Sequence, residues 1–292
     1  MPTERAASRT AILVCQGRAA ADGRLATGRF SDPIAYELLT SPERTIVDQV
    51  RASMVPQGWS ARVAYESVRA CAELMAARTV VIDDAIRDHG NPQLVILGAG
   101  LDSRAWRMRE LAEVDVIEVD HPASQADKRA RLGERPTLAR TARFQPVDFA
   151  TDDLGDALAT SGHDPGVPTT WVWEGVVPYL TLDQVTTTLR AIAIRSARGS
   201  TLVVNYQTPS LRARAGRILA AGLTRLGSTA TITAGEPWRT LLTPAQIAAL
   251  LGGAGFGVHA DDDLLTIARR LGLQEAARTS LRNGRVAIAI RH

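Results

Sequence analysis

The stretch "LVILGAGLDSRAWR", residues 94–107, decides the fold: an apolar run of strand length, Leu94 to Leu97, enters a glycine turn and leaves it as a helix. Gly98 and Gly100 allow a tight turn and let a ligand approach bare backbone. The opening is that of a dinucleotide-binding unit, yet Ser103 stands where that fingerprint has its third glycine, and Asp102 places an acid at the helix start. A pyrophosphate on the helix N-terminus would compete with the Asp102 carboxylate for the free amides and be repelled by it. A cationic or zwitterionic ligand meets no such penalty. S-adenosylmethionine has a ribose and an adenine but no phosphate, and carries a sulfonium and an ammonium, so it fits this turn better than NAD. A plain helix cap at Asp102 is the alternative reading.

Outward from this stretch, short apolar runs alternate with helical segments: "DVIEVD", "ARFQPVD", "TTWVWEG" and "STLVVNYQ" follow as strands, then a strand from near Gly257 and a last one in "GRVAIAIRH". The pattern predicts an α/β fold with a mostly parallel sheet of about seven strands. Thr243 and Pro244 mark a helix start between the later strands. A further helix is expected in "SLRARAGRILAAGLTRL". From Thr10 to about His89 the three-and-four spacing of apolar residues is helical, with Pro33 placed to open a helix. The expected organisation is one domain over residues 1–292: a helical N-terminal lid over 1–90, and a core over 91–292 with a substrate-pocket insertion around 207–242.

Ligands of open parallel sheets bind beyond the carboxyl ends of the strands. Asp120 closes the second strand 22 positions after Gly98, where an acid accepts both hydrogen bonds of a ribose diol. Asp148 and Phe149 end the third strand and suit an adenine amine and ring face. Glu174 ends the Trp-rich fourth strand, where an acid is hard to explain as core and suits an ammonium or a substrate donor.

Composition narrows the classes. Among 292 residues 45% are hydrophobic, enough for a sizeable core, and of the 34 basic residues only Lys128 is lysine. The arginines are interleaved with acids along the chain rather than gathered into a stripe, which argues against a nucleic-acid partner. The N-terminus "MPTERAASRTAILVCQGR" has a four-residue apolar run, short of a signal-peptide core and of the ~20 residues of a membrane span, so a cytoplasmic protein without a membrane partner is expected. Cys15 and Cys71 have no metal-like spacing and are expected as small buried hydrophobes; no metal site is expected.

In "RFSDPIAYELL", "ARTVVIDDAI", "LGAGLDSRAWR", "EVDHPASQADKRARL", "FQPVDF", "WVWEGVVPYL" and "GEPWRTLLTPAQIAALLGGAGF" the chain resembles, in order and through most of its length, the leucine carboxyl methyltransferase family of S-adenosylmethionine-dependent enzymes, its actinobacterial and mycobacterial members included. The resemblance implies a class I methyltransferase with a Rossmann-like sheet. It also implies that Arg78 grips the methionine carboxylate, Gly98 the methionine part, Asp120 the ribose, Asp148 and Phe149 the adenine end, and that Glu174 completes the pocket. Ser103 and Phe149 replace the threonine and leucine frequent in the family, and keep the hydroxyl and the apolar contact.

Methyl transfer from a sulfonium is an in-line displacement, which requires positioning and exclusion of water. A carboxylate acceptor needs no general base, in keeping with the absence of an acid–base motif around His89, His121, His163, His259 and His292. A hydroxyl acceptor would call on Tyr206 or Glu174. Trp238 and Arg239 are placed to recognise an acidic or planar acceptor. The expected function is S-adenosylmethionine-dependent O-methylation of a carboxylate, or a hydroxyl, on a small metabolite. The alternatives are an NAD-dependent oxidoreductase, opposed by Asp102 and by the lack of a Tyr-x-x-x-Lys pair, and a non-catalytic cofactor-binding regulatory protein.

Overall fold

The computed structural model describes residues 8–149, 151–209, 238–274 and 277–292. Among these residues seven strands form one sheet: β1 (Gln93–Leu97), β2 (Asp115–Asp120), β3 (Thr141–Pro146), β4 (Thr169–Trp173), β5 (Thr201–Gln207), β6 (Phe256–Asp263) and β7 (Gly284–Arg291), in the order β3-β2-β1-β4-β5-β7-β6. The first five run parallel, and β7 is antiparallel to both β5 and β6. Strand order reverses between β1 and β4, so the turn after β1 opens at the sheet's switch point.

Alternation along the strands builds two cores. Leu94 and Ile96 of β1 join Val116, Val172 and Val203 on one face, whereas Val95 and Leu97 join Ile117, Trp171 and Trp173 on the other. The first face carries the N-terminal helices α1 (Arg9–Ala21), α2 (Pro33–Glu37), α3 (Ser41–Arg51) and α4 (Trp59–His89). The second carries α7 (Leu154–Thr160), α8 (Leu182–Ile194) and α9 (Pro244–Gly253). The other helices among the described residues are α5 (Arg104–Arg107), α6 (Pro122–Leu132), α10 (Leu264–Arg270) and α11 (Arg278–Asn283).

Several boundaries reflect local chemistry. Asp32 accepts from the Ala35 amide and Pro33 opens α2, while Thr243 with Gln246 makes a capping box ahead of Pro244 in α9. Helix α4 ends where Gly90 turns left-handed, with φ 54°. Gly17 lets α1 lie close on α4: a Cβ there would stand 2.7 Å from the Cys71 sulfur. Cys15 and Cys71 are both buried free thiols, as their sequence context implied.

One expectation needs correction. The helix read from Ser103 onward is a single turn, because Met108 leaves helical geometry with ψ 108° and a 3₁₀ turn, Arg109–Leu111, comes next. One turn carries little macrodipole, so Asp102 does not act by contesting a long helix N-terminus. The helix expected in "SLRARAGRILAAGLTRL" and most of the 207–242 insertion lie outside the described residues. Among the described residues no helix is long and apolar enough to cross a membrane.

Candidate functional site

A cavity of about 250 Å³ lies at the carboxyl ends of β1, β2 and β4. Of the residues expected to bind the ligand, Arg78, Gly98, Gly100, Asp102, Asp120, Phe149 and Glu174 all line it, although they come from five separate elements or turns. Asp148 does not. It opens the turn after β3, its amide donating to Asp152 Oδ2 at 2.8 Å and its carbonyl accepting from Thr151 and Asp152.

The floor is the glycine turn. Gly98 has φ +68° and Gly100 φ +49°, both left-handed, and the Gly98 amide donates to Val119 O at 2.7 Å. A Cβ on Gly98 would come within 2.2 Å of Val176 Cγ2, a side chain that also lines the cavity. Gly98→Ala is therefore expected to combine a left-handed backbone penalty of about 1–2 kcal/mol with a displaced cavity wall. Thermal melting and ligand titration check this; a variant with unchanged melting temperature and affinity would show that the turn tolerates a side chain.

Asp120 is held from two sides, its Oδ2 accepting from the Gly100 amide and its Oδ1 from the His121 amide at 2.6 Å. Burial raises its pKa above the ordinary carboxylate value, although those two amides favour the charge. Around the glycine turn stands a set of buried charges. Arg78 on α4 donates from Nε to Glu174 Oε1 at 2.6 Å, from Nη1 to Asn205 Oδ1 at 3.3 Å and from Nη2 to the Met75 sulfur at 3.1 Å. Arg104 donates from Nε to Asp83 Oδ1 at 2.8 Å, and from Nη1 to both Asp102 Oδ2 and Glu174 Oε2, the latter at 2.9 Å. Asp102 also accepts from the Arg104 amide at 2.8 Å; it lies one position ahead of the Ser103 N-cap and lines the cavity.

Burial works against the charges of Asp102 and Glu174, but their arginine partners outweigh it: Arg104 holds Asp102 well below the usual carboxylate range, and Arg78 with Arg104 lowers Glu174. Both Glu174 oxygens are thus engaged by guanidinium groups, which disfavours it as a general base. Tyr206 fares no better. Its hydroxyl donates to Asp261 Oδ2 at 2.6 Å and accepts from Arg285 Nε at 3.0 Å, it does not line the cavity, and burial together with Asp261 pushes its pKa up. Tyr206 belongs instead to the packing of β5 against β7 and β6.

The sequence reading missed Arg18, Ser124 and Tyr179, which also line the cavity. Arg18, on α1, is bound through Nε to Asp32 Oδ2 at 2.8 Å and through Nη2 to the Leu101 carbonyl, so an N-terminal helix reaches the glycine turn directly. It stands between Gly17 and a run of alanines, Ala19–Ala21, which give no sign of this. Tyr179 sits in the turn after Glu174, and the amide of Arg239 donates to Pro178 O at 2.7 Å, which brings the chain after residue 237 beside that turn. Trp238 and Arg239 themselves are not among the lining residues. The lone lysine, Lys128, is buried against Glu118 and cannot serve as a surface or catalytic amine. Among the described residues no group of three His, Cys, Asp or Glu side chains is arranged to hold a metal ion.

A glycine turn at the switch point of a sheet with one antiparallel strand, ringed by strand-end acids, defines the class I methyltransferase fold. The leucine carboxyl methyltransferase family matches residues 11–193, more than half of the chain, and the chain belongs to that family. A relative from Mycobacterium avium (strain 104) is 33% identical over 244 residues, 80% of this chain and 72% of its own length; another from Streptomyces coelicolor is 37% identical over 129 residues, 43% of this chain. Both carry the provisional name S-adenosyl-L-methionine-dependent methyltransferase. The chain spans about half the length of several curated relatives it matches, 46% of the Streptomyces coelicolor protein and 52% of one from Streptomyces avermitilis. In three dimensions it is similar to a provisionally assigned methyltransferase from Thermobifida fusca YX, with a TM-score of 0.55 and 18% identity over 95% of this chain and 94% of that one. A DUF574 family protein from Streptomyces avermitilis superposes with a TM-score of 0.57 at 13% identity, over 95% and 97% of the two chains.

Proposed function

We propose that this chain is an S-adenosylmethionine-dependent O-methyltransferase, one domain with a helical lid, acting on a carboxylate of a small-molecule acceptor. The observation that carries the oxygen assignment is that, among the described residues, neither expected base is free for a proton: Glu174 is paired with two arginines and Tyr206 is committed elsewhere. A carboxylate is already a nucleophile near neutral pH and needs no deprotonation.

The residues present fit the cofactor. Asp120, oriented by two amides, suits the ribose diol, and Phe149 an adenine face. Asp102 and Glu174 are acceptors for an ammonium, and Arg78 suits a carboxylate through Nη2, whose present partner, the Met75 sulfur, is a weak acceptor. When bound, the cofactor supplies an electrophilic methyl on its sulfonium. The chain's part is to align the acceptor oxygen and exclude water, for which α1, contributing Thr10, Ala11, Val14 and Arg18 to the cavity wall, serves as a cover. A pyrophosphate at the glycine turn would face Asp102 and Glu174 in the same cavity, which disfavours NAD. Two buried free thiols suit a reducing compartment such as the cytoplasm.

Parallel calorimetric titration with S-adenosylmethionine, S-adenosylhomocysteine and NAD, followed by methyl transfer to carboxylate and hydroxyl acceptors, tests the proposal. The expected result is binding of the first two ligands, and carboxylate methylation at a rate that is flat with pH above the acceptor's own pKa. Binding of NAD alone sinks the cofactor; methylation of hydroxyls only, with a rate rising with pH, sinks the acceptor class.

A further inference from the structure

Beyond the pocket-lining residues themselves, the buried charges close into a ring. Arg78 Nε meets Glu174 Oε1 at 2.6 Å, Glu174 Oε2 meets Arg104 Nη1 at 2.9 Å, Arg104 Nε meets Asp83 Oδ1 at 2.8 Å, and Asp83 lies on the same helix, α4, as Arg78. Asp102 hangs on this ring through the Arg104 Nη1 it shares with Glu174. Asp83 is braced from behind by Arg107, whose Nη1 lies 2.7 Å from its Oδ2. Every member is largely hidden from solvent, and Arg104 is 2% exposed.

We propose that Arg104, anchored by Asp83, is a positioning residue that fixes Asp102 and Glu174 as a matched pair of acceptors for the amino-acid end of the cofactor. This rests on the cofactor reading above. Asp102 comes from the turn after β1 and Glu174 from the end of β4, so their spacing is not set by a common element. Two carboxylates facing one cavity repel; Arg78 pairs with Glu174, but it is Arg104 Nη1 that lies between Glu174 and Asp102 and bonds both. The guanidinium removes that conflict, and its geometry explains why arginine is required. Nε serves Asp83 while Nη1, on another edge of the same plane, serves the two pocket acids. Lysine, with one nitrogen, cannot reach both sides at once. Asp83 itself does not line the cavity, so its effect on the ligand passes through Arg104.

The test uses the full chain and two ligands that differ only at the amino-acid end: S-adenosylhomocysteine, and 5′-methylthioadenosine, which keeps the nucleoside and sulfur. Arg104→Lys retains the cation and Asp83→Asn the side-chain volume; thermal melting shows which variants fold before titration. In folded variants S-adenosylhomocysteine affinity is expected to fall roughly tenfold or more, while methylthioadenosine affinity shifts by less than about twofold. Equal losses for both ligands would reduce Arg104 to general support of the fold, and unchanged S-adenosylhomocysteine affinity in either folded variant would remove its role altogether. A wild-type chain that binds neither S-adenosylmethionine nor S-adenosylhomocysteine would overturn the cofactor reading first, and is distinguished from the other outcomes by failing before any substitution is made.

Discussion

Lys128→Met is expected to lose about 3–5 kcal/mol of folding free energy, a large share of what holds a domain of this kind together. The Lys128 side chain is 1% exposed, its ammonium paired with Glu118 Oε2 and 4.9 Å from the centre of the Trp106 ring. Glu118 is equally buried, and its other oxygen, Oε1, has no hydrogen-bond partner among the described residues. Removing the ammonium leaves a carboxylate with neither solvent nor countercharge. Replacing both partners by apolar side chains, Lys128→Met with Glu118→Leu, is expected to restore most of the loss, since the pair contributes less than its breakage costs.

The pH dependence has a defined sign. Burial raises the folded-state pKa of Glu118 above its unfolded value even beside Lys128, so between those two values the folded state binds more protons and stability falls as pH rises. Without the ammonium this pKa climbs further, and the deficit of Lys128→Met is larger at pH 8 than at pH 5. Urea unfolding at both pH values checks it. A loss below about 1 kcal/mol, or one greater at pH 5, would mean that the ion pair is not the stabilising contact inferred from its burial.

Asp120→Ala is expected to abolish useful cofactor binding while leaving the fold in place. Two hydrogen bonds from a ribose diol to a charged acceptor amount to roughly 3–6 kcal/mol, or about 10²- to 10⁴-fold in affinity. The fold survives because removing Asp120 also removes a carboxylate whose burial is unfavourable, which offsets the loss of its bonds to the Gly100 and His121 amides. Calorimetric titration alongside a melting curve separates the two effects. Unchanged affinity would sink the ribose assignment, and a collapsed melting curve would show that the amide bonds matter more than the buried charge costs.

The strand ends were legible because a strand announces its own end. In "LVILGAG" and "DVIEVD" the apolar run stops, and the residues at that stop must lie at the sheet's edge, so Gly98, Gly100, Asp120 and Glu174 are placed at one cavity by counting alone. Phe149 is placed on the same ground, whereas Asp148, one position earlier, does not line the cavity, and its backbone is tied into the local turn with Asp152. Cap chemistry was equally local: Pro33 and Thr243–Pro244 mark helices where the backbone begins them. The length of α5 was not legible, since "SRAWRMREL" has helical spacing, yet the backbone turns extended at the buried Met108 after one turn.

This sequence by itself therefore determines the features that depend on neighbours along the chain: the alternation that makes a doubly covered sheet, the glycines that turn left-handed, and the acids that end strands. Only the tertiary structure decides the company those acids keep. Tyr206 meets Asp261 from 55 positions away, Glu174 meets Arg78 across 96, and Arg18 reaches the Leu101 carbonyl across 83. Such partnerships form because a buried charge must find its opposite wherever the fold brings one within reach, and that distance is not written in any local pattern.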